Sequence, residues 1–318
     1  MNIVLSYIGP LPPYTIECIQ QIRLFSKSQI YLILDDLSSP YLKQLEIYDI
    51  ILIDYNTVKS QEFLNLFETY KEQFSICTDL GERRFLFMRS VERFFLLFNL
   101  MQQRSLTDVF FMEIDNTIYD DPMNWLEEFS KKEVCFMYDN EERFSCGLFY
   151  TKTAASLIPL LTGVFQNIHK YSAWYSDMAI LYELYETKYS KDVLLLPTHT
   201  GFVTEDKKFF KKGNQPTDSL NTLTYMNYGL FGDTVFDAAG MGVYLFGCDP
   251  FHSGGVVVHN FSEKTWSHIN FSKYEYKWEK DSIGRKIPYV NFGDGKWIRV
   301  NNLHIHSKDL KSALSIDT

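Results

Sequence analysis

Two acidic side chains separated by one isoleucine, Glu113 and Asp115, end the apolar run VFFM at residues 109–112. In an extended strand residues i and i+2 point to the same side, so the two carboxylates share a face and Ile114 takes the other. Such a pair is expensive to bury unless something positive meets it. A divalent cation is one such partner, and oxygen ligands favour hard ions such as Mg²⁺ or Mn²⁺ over zinc. The alternative is a pair of strand-end acids that cap helix N-termini or bind arginine. Far downstream, LHIHSK sets His304 and His306 on one face of a short β-like segment by the same rule, with Lys308 two residues on. An imidazole joining a carboxylate site tilts it towards Mn²⁺, which accepts nitrogen more readily than Mg²⁺. A lone histidine is more often packed or at the surface than bound to metal; the HxHxK run makes this pair a candidate.

The elements that must position these groups alternate along the first 150 residues. Asn2–Ile8, Ile30–Leu34, Ile50–Ile53, Val109–Ile114 and Val134–Met137 read as strands buried on both faces, and Pro13–Lys27, Lys59–Gln73 and Phe85–Gln103 have helical spacing. That βαβα rhythm predicts an α/β fold with a largely parallel sheet covered by helices. Ligands in such folds gather beyond the carboxyl ends of the strands, where Ser6–Tyr14, Asp35, Asp36 and 113–116 fall. Residues 152–188 read as two helices, and the polar stretch from Val203 to Thr224 as an exposed loop. The expected organisation is a ligand-binding half, 1–150, and a second half of the same domain, 151–318, whose C-terminal part is rich in loops.

Composition limits the partners. The net charge is −9, from 31 Lys and Arg against 40 Asp and Glu, which excludes a general phosphate-backbone binder and hence nucleic acid. Five widely spaced cysteines without a CxxC pair fit reduced thiols in a cytoplasm-like compartment. No run approaches the roughly 18–20 apolar residues that a membrane span needs. Aromatic residues make up 16% of the chain. Tyr225, Tyr228, Phe251, Trp266, Tyr274 and Trp278 are candidates for stacking on a flat ligand, although most aromatic residues are simply core.

Taken in order, these pieces resemble the GT-A-fold glycosyltransferases. VFFMEIDNTIYDDP resembles their apolar strand and DxD motif, with Glu in the first acidic place. RRFLFMRSVERFFLLFNLM resembles the preceding helix, whose basic residue meets the donor diphosphate; Arg93 matches best and Arg89 less well. FSCGLFY resembles the small-residue segment at the donor sugar, pointing to Ser145 and Gly147, and WYSDMAILYEL resembles the helix start whose acid, Asp177, reaches the reacting sugar. LHIHSK resembles the C-terminal segment that gives a metal-binding histidine, His304 or His306, and a diphosphate-binding lysine, Lys308.

The resemblance implies a GT-A-like, Rossmann-related sheet with an acceptor-side region after residue 150. It implies a nucleotide-diphosphate sugar donor, UDP- or GDP-linked, a glycan or glycoconjugate acceptor, and Mn²⁺ or Mg²⁺ as cofactor on Glu113, Asp115 and a histidine. Tyr7 and Asp35 would hold base and ribose. An inverting reaction asks for a carboxylate base at the acceptor hydroxyl, for which Asp177, Asp233 and Asp237 are candidates; a retaining reaction asks for none, and Asp177 would then position the sugar.

Two other readings compete. EIDNT and GDTVFD (Gly232–Asp237) also resemble the DxDxT and GDxxxD motifs of haloacid-dehalogenase-type phosphatases. There the first Asp is the nucleophile, and Glu113 would displace the attacking oxygen by about 1.5 Å, where an error of about one ångström costs on the order of 10²-fold. The third reading is a non-catalytic carbohydrate-binding protein on a glycosyltransferase scaffold.

Overall fold

Short runs of branched and aromatic residues alternate with helical stretches through the first half of the chain, and each becomes an element close to its expected bounds. These are β1 (Asn2–Tyr7), α1 (Thr15–Phe25), β2 (Gln29–Leu34), β3 (Ile50–Asp54), α2 (Gln61–Thr69), α3 (Leu86–Arg104) and β4 (Val109–Met112). The structure, a computed structural model, describes residues 1–75, 86–140, 143–173, 175–200, 227–248 and 271–316. The expected loop at 203–224 lies outside them, as do Cys77, Tyr225, Phe251 and Trp266.

After β4 come β5 (Asn116–Ile118), β6 (Val134–Asn140), β7 (Arg143–Thr151), α4 (Ala154–Asn167), α5 (Asp177–Leu184) and β8 (Val193–Leu196). A seven-stranded sheet runs β3-β2-β1-β4-β7-β6-β8. Strand β7 is antiparallel to both neighbours, and every other pairing in this sheet is parallel. The fold is therefore α/β with a mostly parallel sheet, as the sequence pattern predicts. One element departs from the expectation: FSCGLFY is not merely a ligand-facing segment but the body of a central strand.

Alternation along the strands divides the core in two. Ile3, Leu5, Phe110 and Met112 pack with Cys18, Ile19 and Ile22 of α1. Val4, Val109 and Phe111 pack on the other face with Phe94 and Leu97 of α3, Leu157 and Leu160 of α4 and Ile180 of α5. Residues of one parity on β4 thus face α1 and those of the other face α3.

The rest of the chain adds β9 (Thr234–Val235), α6 (Gly240–Phe246), β10 (Glu275–Lys280), β11 (Lys286–Asn291), β12 (Trp297–Val300) and β13 (Asn302–His304). A four-stranded sheet, β10-β11-β12-β9, packs Val235, Ile287, Val290 and Ile298 onto the α1 side of the core. Tyr274 is buried there, and Trp278 sits edge-on to Tyr119 at 5.5 Å between ring centroids, so both serve packing. The link that matters for chemistry is the antiparallel ladder of β13 on β5, which pairs Asn302 with Ile118, Leu303 with Thr117 and His304 with Asn116. Among the described residues no helix is long and apolar enough to cross a membrane. Cys18, Cys135, Cys146 and Cys248 are buried.

Candidate active site

The parity of β4 decides where Glu113 goes. Val109 and Phe111 face α3, and Glu113, next in that series, meets the same helix through an ion pair with Arg93. The strand itself stops at Met112, earlier than expected, and residues 113–115 form a turn held by Asn116 N–H to the Glu113 carbonyl at 3.1 Å. Glu113 and Asp115 therefore converge through a turn rather than through strand pleat.

Arg93 is buried, and its guanidinium lies 5.7 Å from the ring centroids of both Phe94 and Phe111. It forms ion pairs with Glu113 and with Asp177, and its Nη2 stands 2.7 Å from Cys146 Sγ. That thiol is in turn 2.7 Å from Asp177 Oδ2. Burial pushes the Cys146 thiol well up, with Asp177 and Glu113 adding to the effect against Arg93, so it stays protonated and donates to Asp177. Asp177 is the first residue of α5, while Ser176 is the cap, its side chain accepting from Ala179 N–H at 3.4 Å.

Asp115 faces the other cations. It is buried, pairs with Lys308, and its Oδ2 lies 3.3 Å from His304 Nε2. Burial alone would raise its pKa, but Lys308 and His304 outweigh that and hold the carboxyl well below its usual range. For His304 burial acts downwards, and Asp115 and Glu113 outweigh it and leave the imidazole above its usual value. The same Nε2 stands 3.3 Å from Glu113 Oε2. The segment after β13 wraps the acid: Ile305 N–H donates to the Asp115 carbonyl at 2.8 Å, Lys308 N–H to the Ile305 carbonyl at 3.0 Å, and Lys308 turns back with φ +65°.

Gly147 makes the approach of these groups possible. A Cβ there would stand 2.9 Å from Glu113 Oε2, 3.0 Å from His304 Nδ1 and 3.1 Å from Asn116 Nδ2. Its carbonyl accepts from Glu113 N–H at 2.9 Å and from Asn116 Nδ2 at 3.1 Å.

One ligand atom from each of Glu113, Asp115 and His304 lies within 4.8 Å of the other two, and they are the group of this kind among the described residues. Octahedral ligands about 2.1 Å from an ion stand about 3 Å apart along an edge, close to the spacing of Nε2 from each carboxylate. Two oxygens and one nitrogen form a donor set suited to Mn²⁺, so the residues fit a divalent ion. His306 stands beside this group, its ring 4.6 Å from that of His304.

The remaining expected positions have partners of their own. Asp35 Oδ1 accepts from Gly9 N–H at 2.8 Å, tying the loop after β1 to the end of β2, and Tyr7, the last residue of β1, is partly buried. Ser145 is buried, with its Oγ 3.5 Å from Gly147 N. Arg89 pairs at 2.6 Å with Glu92 of its own helix, which also accepts from Tyr55 Oη at 2.6 Å. Asp233 is exposed and pairs with Lys296 at 2.7 Å, and Asp237 is fully buried against main-chain donors. Burial closes Asp237 to an incoming hydroxyl, and neither of the GDxxxD acids joins Glu113 and Asp115 in the cluster. Tyr14 and Asn116, which fall in stretches expected at strand ends without a role of their own, and Asn302, which no motif marks, border the site. Tyr14 is near enough to Asp115 for that charge, after burial, to push its phenol up. Asn302 Nδ2 donates to Asn116 Oδ1 at 3.0 Å.

No protein-family model and no curated protein sequence matches this chain. Among solved structures it is similar to mouse xyloside xylosyltransferase 1 in its apo form, at 8% identity and a TM-score of 0.46, over 70% of this chain and 93% of that one. It is also similar to the glycosyltransferase GlyE of Streptococcus pneumoniae TIGR4, at 14% identity and a TM-score of 0.38, over 60% of this chain and 44% of that one. A third likeness is to the PaToxG glycosyltransferase, at 14% identity and a TM-score of 0.34, over 58% and 68% of the two chains. At these values no residue role and no activity is transferred from them.

Proposed function

We propose that this chain is a glycosyltransferase that moves a sugar from a UDP- or GDP-linked donor to a hydroxyl of a glycan or glycoconjugate, with Mn²⁺ or Mg²⁺ held by Glu113, Asp115 and His304. The observation that carries the reading is the meeting of a strand-end acid pair with an imidazole nearly two hundred residues away in sequence, in one cluster beside Lys308 in which Asp115 and His304 are buried and Glu113 partly so. A bound divalent ion supplies Lewis-acid stabilisation of the negative charge that grows on a departing diphosphate. Lys308 adds a second cation at that place. Arg93, engaged with Glu113 and Asp177, orients both carboxylates rather than reaching freely for phosphate, a revision of the role its motif suggests. Asp177 is assigned the positioning of the reacting sugar, Ser145 and Gly147 contact with that sugar, and Tyr7 and Asp35 contact with base and ribose. His306 supports His304 from the side. The acceptor is met by the half of the chain after residue 150.

Ligand-dependent melting of the full chain tests this. UDP or GDP with Mn²⁺ should raise Tm in the native sequence and leave Asp115→Ala unmoved. A panel of nucleotide sugars then identifies the donor by Mn²⁺-dependent hydrolysis. Turnover of small phosphoesters without any nucleotide effect would replace this reading with the phosphatase one; sugar binding indifferent to metal would replace it with the carbohydrate-binding one.

A further inference from the structure

One buried carboxylate near the cluster is held by main chain rather than by lysine or arginine. Asp237, between β9 and α6, is fully buried. Its Oδ1 accepts from Ala239 N–H at 3.0 Å and Met241 N–H at 2.8 Å, and its Oδ2 from Gly242 N–H at 2.7 Å and His304 N–H at 3.1 Å. Three of these donors belong to the entry into α6. The fourth is the main chain of His304.

The surroundings enforce the same tie. Asp237 N–H donates to Asn302 Oδ1 at 3.0 Å, and Asn302 Nδ2 returns to the Asp237 carbonyl at 3.1 Å. Gly242 lets α6 touch the ligand's main chain, since a Cβ there would stand 2.1 Å from the His304 carbonyl oxygen. Ala239 holds φ +98°, a conformation that a non-glycine residue keeps when its surroundings over-determine it. The Asp237 bonds to Ala239 and Met241 are what determine it here.

We infer that Asp237 is a positioning residue: its carboxylate fixes the His304 main chain to α6 and so aims the imidazole at Glu113 and Asp115. The inference rests on the metal-binding reading above. A carboxylate can accept two N–H bonds on each oxygen, whereas an asparagine has one acceptor end and turns donors of its own on the other pair. Asp237→Asn therefore keeps the shape and breaks the frame on one side.

Calorimetry of Mn²⁺ binding to the full chain tests it. Asp237→Asn should weaken Mn²⁺ binding by on the order of ten- to a hundredfold, the range for groups that orient metal ligands. In the His304→Ala background the same change should weaken binding no further, because no imidazole remains to be aimed. An equal loss in both backgrounds, or no loss in either, overturns the inference. Gly242→Ala, which drives a methyl onto the His304 carbonyl while keeping the carboxylate, should show the same dependence on His304 and serves if Asp237→Asn does not fold. If the native chain takes up no Mn²⁺, the metal reading falls by itself. The positioning role is then read from the ¹H–¹³C NMR signal of the His304 ring, assigned by its loss in His304→Ala: it should shift in Asp237→Asn, and an unmoved signal overturns the inference.

Discussion

Asp115 and Asp237 are both buried, both near His304, and held in opposite ways. Asp115, in the turn after β4, faces Lys308 and the His304 ring, and those cations draw its pKa well below the usual value. Asp237, in the turn before α6, faces main-chain N–H groups, and burial pushes its pKa up despite them. Side chains such as lysine can swing away and surrender a carboxylate to an incoming ion. Main-chain donors within a helix entry and a β-ladder cannot. The first acid is thus suited to exchange partners, the second to keep them.

Four experiments break or sharpen this contrast. The largest effect is expected from Asp115→Asn, which should lower Mn²⁺-dependent donor hydrolysis by on the order of 10²–10³-fold, as removal of a charge-stabilising group does. Hydrolysis within tenfold of the native rate would remove Asp115 from the site. Asp237→Ala should act on stability instead: at about 1–3 kcal/mol for each stranded buried group, four orphaned N–H donors predict a loss of about 4 kcal/mol or more in urea unfolding without metal. A third test uses pH. Asp115, with its folded pKa lowered, contributes stability present above its usual 3.8 and lost as pH falls through the lowered value. Asp237, with its folded pKa raised, contributes stability present below 3.8 and lost as pH rises through the raised value. In chelator-treated protein Asp115→Asn should therefore flatten the rise of stability with pH on the acid side, and Asp237→Asn should steepen it; slopes that change in the same sense would end the contrast. The smallest effect is expected from Ala239→Gly, which relieves the positive φ and should stabilise the chain by about 0.5 kcal/mol in the same urea assay, the relief exceeding the added backbone entropy.

Elements driven by regular periodicity were legible from residue order. The first three strands and α1, α2 and α3 lie within a few residues of their expected bounds, because continuous apolar runs and helical spacing leave few choices. Glu113, Asp115 and His304 were legible because unusual spacing marks them. Strand β7 was not, since Ser145, Cys146 and Gly147 interrupt its pattern with small residues that read as a ligand loop. The partners of Arg93 were not, because they come from three other segments, and a helix face says nothing of which acid will cross to it. Asp237 was least legible of all: its role is written in main-chain hydrogen bonds, and its sequence neighbourhood suggested a catalytic acid instead.

The short ladder of β13 on β5 carries a consequence for biosynthesis. It joins positions 184 to 188 residues apart, from Asn302 with Ile118 to His304 with Asn116. Closing so distant a contact costs loop-closure entropy before the contact repays it, which makes it slow beside the formation of local elements. A nascent polypeptide on the ribosome, with its acid pair already emerged but residue 304 still untranslated, therefore has not brought the three side chains together. Whatever reactivity this centre has is withheld until residue 304 has been made and its strand has paired.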